Sequence, residues 1–208
     1  MKAWFLPLAA LALMVSACGP KPATTAPDTD ESAASDGDFS EPPTPESIAA
    51  SAAAEASVLE ACGPVTTKGF CGVVFGGPVD AARHVYPGKL ETLAGDDAQT
   101  GMGCYELFGN APIEGVSFLV ENGKVGRVDF LSGGPKTAEG FGVGSDAETI
   151  RSRFGGALSE HVNKYEPDVT DMVVDQPPGR VIFEIQDGKV RAWRAGVPPT
   201  IDYVERCG

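Results

Sequence analysis

The residues best suited to acid–base, nucleophilic or metal chemistry in this 208-residue chain are two histidines, His84 and His161, and five cysteines. A Ser-His-Asp triad would need its serine on a strained Gly-x-Ser-x-Gly elbow, and no such motif occurs. Zinc would need closely spaced ligand pairs such as Cys-x-x-Cys, and Cys62, Cys71, Cys104 and Cys207 form none. Gly140-Phe141-Gly142-Val143-Gly144 has the wrong spacing for a dinucleotide fingerprint and lacks the Lys-Ser/Thr of a phosphate loop. Its glycines suit a tight strand-to-helix turn instead. Carboxylates are plentiful, but no pair stands at a spacing suited to general acid–base work. His84 falls near a predicted helix end, where imidazole suits the dipole, and His161 lies in a polar stretch, so both read as surface residues. No catalytic residue, metal or cofactor is therefore assigned. The binding candidate is Trp193 flanked by Arg191 and Arg194, because Trp and Arg are enriched among the residues that dominate interfaces.

The formal charge is −13, which argues against nucleic acid as a partner, since phosphate binding needs a basic face. Most of the excess is local: residues 19–60 carry one lysine against nine carboxylates. Residues 18–43 are rich in Pro, Ser, Thr and Ala, with Phe39 the one large apolar side chain, so they read as a disordered acidic tether. Thr44, Pro45 and Glu46 are good N-cap, first-position and first-turn residues, and an Ala-rich run follows, so the sequence predicts a helix over 44–61.

Residues 1–17 form an export signal: Lys2, an apolar run to Met14, then small residues before Cys18. Val15-Ser16-Ala17-Cys18 resembles the lipobox of bacterial lipoproteins. The resemblance implies cleavage after Ala17 and lipidation of Cys18, whose acyl chains exceed the two-signal requirement for stable anchoring. Gly19, where that family carries Asp in proteins held at the inner membrane, implies the outer membrane, with the folded part facing the periplasm or the cell surface. The four remaining cysteines, an even number in an exported chain, imply two disulfides. We expect Cys62–Cys71, closed across the Gly63-Pro64 turn, and therefore Cys104–Cys207.

From residue 62 onward the sequence repeats. Gly72, Gly76, Arg83, Tyr86 and Gly88 align with Gly140, Gly144, Arg151, Phe154 and Gly156 at a shift of 68. Phe118, Val120 and Gly123-Lys124-Val125 align with Phe183, Ile185 and Gly188-Lys189-Val190 at a shift of 65. Two blocks in the same order give two tandem units, 62–136 and 137–208. Each first block reads as a Gly turn and a helix: 78–85, with Gly77 capping and Pro78 first, and 146–154, with a Ser145/Glu148 capping box. Each second block reads as a hairpin on Asn122-Gly123 or Asp187-Gly188, both type I′ signals. An unbroken two-residue-turn register pairs Phe118 with Arg127 and Phe183 with Ala192. It puts Val181, Phe183, Ile185, Val190 and Ala192 on the core face and Ile182, Glu184, Arg191 and Trp193 on the other. Further strands are predicted near 103–108, 169–175 and 200–205. The fold class is α+β: two helix-then-antiparallel-meander units forming one sheet or two joined sheets, with short helices on one side.

This helix-then-meander unit is similar to the SmpA/OmlA family of outer-membrane lipoproteins, which has one unit, and to tandem modules of the β-lactamase-inhibitory-protein type. The resemblance rests on the Gly-turn-helix and on Phe-x-(Val/Ile)-x-x-Gly-Lys-Val. It implies a non-catalytic binding or scaffold domain with a protein or envelope-polymer partner, and the membrane contacted through the lipid. The rival expectations are an envelope hydrolase and an inhibitor- or immunity-type binder of a secreted enzyme.

Overall fold

The computed structural model describes residues 42–93, 103–113 and 115–207. The signal segment, Cys18 and the acidic tether lie outside them. Helix α1 (Pro45–Cys62) starts where Thr44 accepts a hydrogen bond from the Ser47 amide and ends at Gly63. None of its residues is buried, as its weakly apolar sequence dictates. Val58, Leu59 and Cys62 at its last turns touch the core, and a Cys62–Cys71 disulfide ties it to the body. Among the described residues no helix is long and apolar enough to cross a membrane.

Unit one continues with β1 (Gly69–Phe70), β2 (Val73–Val74), α2 (Val79–Val85), β3 (Leu90–Glu91), β4 (Cys104–Gly109), β5 (Val116–Glu121) and β6 (Lys124–Phe130). Unit two follows with α3 (Ala147–Phe154), β7 (Leu158–Val162), β8 (Thr170–Gln176), β9 (Gly179–Gln186) and β10 (Lys189–Gly196). β1 and β2 form a small hairpin, and the other eight strands make one antiparallel sheet in the order β3-β4-β5-β6-β10-β9-β8-β7. The α+β class and the two joined helix-plus-meander units are thus what the chain adopts.

Main-chain hydrogen bonds reproduce both sequence shifts. In unit one, Gly76 N–H donates to Val125 O, Val125 N–H to Gly77 O, and Val79 N–H to Gly123 O. In unit two, Gly144 N–H donates to Val190 O, Val190 N–H to Ser145 O, and Ala147 N–H to Gly188 O. Each hairpin tip is therefore clipped to the start of its unit's helix, through a turn in which Gly76 and Gly144 hold φ of 82° and 84°. The units meet at the β6–β10 seam, where Asp129 pairs with Arg194, its own repeat equivalent. Phe130 pairs with Trp193 and Val128 with Ala195, pairs that the shift of 65 interconverts. A pseudo-two-fold axis consequently crosses the sheet between Asp129 and Arg194.

The helix starts are a residue later than expected. The Gly77 and Ser145 carbonyls are taken by Val125 and Val190, so Pro78 and Asp146 occupy the N-cap positions. Asp146 accepts from the Glu148 and Thr149 amides, while Ser145 Oγ accepts from Gly142 N–H instead of forming a capping box. The segment predicted as a strand at 200–205 is a 3-10 turn, Thr200–Asp202, after Pro198-Pro199, which has no amides to give a ladder.

A larger correction concerns register. Both hairpins contain a β-bulge, so Phe118 pairs with Val128, not Arg127, and Phe183 with Trp193, not Ala192. The extra residues are Gly126 and Arg191, again equivalent at the shift of 65. One inserted residue moves every later side chain to the opposite face. Val128, Phe130, Trp193 and Ala195 join the core, and Arg127, Asp129, Ala192 and Arg194 point away from it.

The core lies on the helix side. Trp193 is 1% exposed and stacks between Phe130, at 4.4 Å between ring centroids, and Phe183, at 5.8 Å. Phe70, Tyr86 and Phe141 close over Phe130, Phe118 and Phe183 in edge-on contacts. Burial, reinforced by nearby Glu55, pushes the Tyr86 hydroxyl well above its ordinary pKa, and that hydroxyl donates to Ile113 O. Trp193 is therefore a core residue and not a binding residue. Arg191 and Arg194, its sequence neighbours, are on the opposite face.

Candidate functional site

Strand alternation fixes what that opposite face carries. Its centre holds Arg127, Asp129, Glu184, Asp171 and Arg194. Charges at the middle of a sheet need cover and partners, and the C-terminal segment after β10 supplies both. Arg127 Nη1 donates to Thr200 O at 3.0 Å and to Tyr203 O at 2.6 Å, and its Nε donates to Asp129 at 2.8 Å. Arg194 donates to Ile201 O at 3.3 Å and to Glu184 at 2.7 Å. The fully buried Ile201 anchors this strap, and the Cys104–Cys207 disulfide fixes its end across 103 residues. Gly126 records the same arrangement: a Cβ there would lie 2.0 Å from Thr200 Oγ1, whereas the equivalent position in unit two, not under the strap, is Arg191.

Burial lowers the Arg127 pKa from its ordinary value, adjacent Asp129 opposes the shift, and repulsion from Arg194 and Arg206 adds to it. Breaking such a buried pair leaves an uncompensated charge, so these contacts hold strap and sheet in one arrangement.

Beside the strap the face opens into a cleft of about 210 Å3. Arg127, Arg191, Arg194 and Arg206 line it together with Asp129, Glu166 and Glu184. Its rim has exposed apolar groups at Leu131, Tyr165 and Val204. Arg191 makes a two-pronged contact with Glu166 and also reaches Glu184 at 3.2 Å. A second groove of about 460 Å3 flanks the strap and shares Tyr165, Val204 and Arg206. Sequence reading identified Arg191 and Arg194. It also places Glu184 on the face of Arg191, whereas Arg127, Arg206 and Glu166 are brought in by the β6–β10 seam, the strap and the loop between β7 and β8.

The histidines are elsewhere. His84 is exposed on α2 and its Nδ1 donates to Asp80 O at 2.6 Å. His161 is exposed on edge strand β7. The four folded-part cysteines are paired as expected, Cys62 with Cys71 and Cys104 with Cys207. Among the described residues no three His, Cys, Asp or Glu side chains are grouped to hold a metal ion.

Several carboxylates depend on their partners. The Thr149 amide and Lys189 hold Asp146 below its ordinary pKa, and Arg151 and Arg191 do the same for Glu160 and Glu166. A carboxylate depressed on folding stabilises the fold above its unfolded pKa, near pH 4, and that contribution is lost as pH falls through the folded value. The melting temperature is expected to drop on acidification below about pH 4 and to drop less steeply in Glu160→Gln. Thermal melts between pH 7 and pH 2 read both effects. Identical acid limbs for the two proteins would contradict the assignment to Glu160.

No family model matches the chain, and comparison with curated proteins and with solved structures returns no match.

Proposed function

We propose that this chain is a lipid-anchored lipoprotein of the bacterial outer membrane whose folded body binds or organises envelope components through the polar face of its sheet, without catalysis. The observation that carries the reading is the asymmetry of the two faces. The helices cover one face with an apolar core, while the other gathers half of the chain's eight arginines beside exposed Leu131, Tyr165 and Val204. Arg and Tyr set against an apolar rim are the composition of a recognition surface. Arginines pair the acids of the cleft, which favours binding over proton transfer. The partner class is a protein or an envelope polymer, and an acidic chain disfavours nucleic acid.

Anchoring rests on Val15-Ser16-Ala17-Cys18. Cys18→Ser is expected to abolish labelling by a fatty-acid analogue and to leave an uncleaved or soluble form. Unchanged membrane fractionation of that variant would contradict the anchor.

A further inference from the structure

Among the carboxylates lining the 210 Å3 cleft, three differ in how firmly they are held. Asp129 is buried and bonded to Arg127. Glu184 is four-fifths buried and has both oxygens engaged, one by Arg194 and one by Arg191. Glu166 comes from the loop between β7 and β8, its side chain is 51% exposed, and among the described residues its two oxygens meet only Arg191. A carboxylate half open to solvent exchanges for a competing anion more readily than the two buried ones. Yet its geometry, two parallel N–H···O bonds, is the one in which guanidinium recognises any carboxylate.

We propose that the cleft is a carboxylate-binding site whose resting occupant is Glu166, and that its ligand is the C-terminal carboxylate of a polypeptide, which displaces Glu166 from Arg191. Arg206, paired with Glu106, and Arg127, paired with Asp129, line the same cleft beside Arg191. Arg194 and Arg206 both repel Arg127, and an added anion offsets that repulsion. The exposed Leu131, Tyr165 and Val204 receive a small apolar residue next to the carboxylate. The neighbouring 460 Å3 groove, sharing Tyr165, Val204 and Arg206, takes the chain that precedes it. A free small acid would leave both the rim and the groove unused. The inference rests on the polar-face reading and gives that surface a ligand class.

The test is calorimetric titration of the full chain in detergent micelles with tetra-alanine bearing a free C-terminal carboxylate, the same peptide as its C-terminal amide, and succinate. The carboxylate peptide is expected to bind and the amide to bind at least tenfold more weakly. Glu166→Gln, which removes the competing internal carboxylate, tightens the carboxylate peptide about two- to fivefold, the range set by an exposed ion pair. Arg191→Gln weakens it about tenfold or more while leaving the melting temperature close to that of the parent. Absence of binding to both the parent and Glu166→Gln overturns the proposal whatever Arg191→Gln does. Equal binding of acid and amide overturns the carboxylate site while leaving the wider surface reading intact. Succinate binding as tightly as the peptide overturns the choice of a polypeptide ligand.

Discussion

Trp193→Ala is expected to destabilise the fold by about 3–5 kcal/mol, the cost of removing a large buried aromatic and leaving a cavity. For a domain of this size that is a fall of roughly 6–20 °C in melting temperature. Trp193 is the central plate of the Phe130–Trp193–Phe183 stack, and Phe130 and Phe183 belong to different units. Truncation therefore loosens the seam as well as the core. Trp193→Phe should recover most of the loss, because the indole N–H has no hydrogen-bond partner among the described residues and so no bond is given up. A Trp193→Ala variant with an unchanged melt would show that Trp193 is exposed and that the bulge at Arg191 does not exist.

Replacing Cys104 and Cys207 together by Ala is expected to cost up to about 4–5 kcal/mol, the chain-entropy value for releasing a closed loop of about 100 residues. The Cys62–Cys71 pair, closing 9 residues, is worth about 2.5 kcal/mol on the same scale. The two bridges also secure different parts of the body. Losing Cys104–Cys207 frees the end of the strap, and with it the Tyr203 carbonyl on Arg127 and the Arg206–Glu106 pair. Losing Cys62–Cys71 detaches only α1, which has no buried residue. Denaturant titrations of the two double variants rank them. A larger loss from the short loop would contradict the strap's role in securing the sheet.

Much of this architecture is visible in the chain. The repeat shifts of 68 and 65, the two Asx-Gly turns and the cysteine pairing need only local turn chemistry and export logic, and each has a structural counterpart. The face of Trp193 depends on a single inserted residue. Its signal is a phase slip: apolar positions run from Val125 to Val128 and Phe130, and from Val190 to Trp193 and Ala195, an odd step followed by even ones. A strict period of two cannot accommodate both, and a bulge resolves it in each unit. The polar cleft was only half visible. Arg191 and Arg194 are sequence neighbours on one strand, but Arg127, Glu166 and Arg206 reach them through long-range pairing that no local pattern encodes. Arg127 in particular, which an unbroken register sets opposite Phe118, lies on the other face because of the bulge at Gly126 and is covered there by the strap at 200–203.

The most direct measurement is photo-crosslinking in intact cells, with the crosslinking residue placed at Tyr165 on the rim of the polar cleft or at Val85, exposed on α2 of the helical face. The account predicts a discrete envelope adduct from Tyr165, none from Val85, and loss of the Tyr165 adduct when Arg191→Gln is added. Adducts from Val85 with none from Tyr165 would contradict it, because the partner would then be bound on the covered face of the sheet.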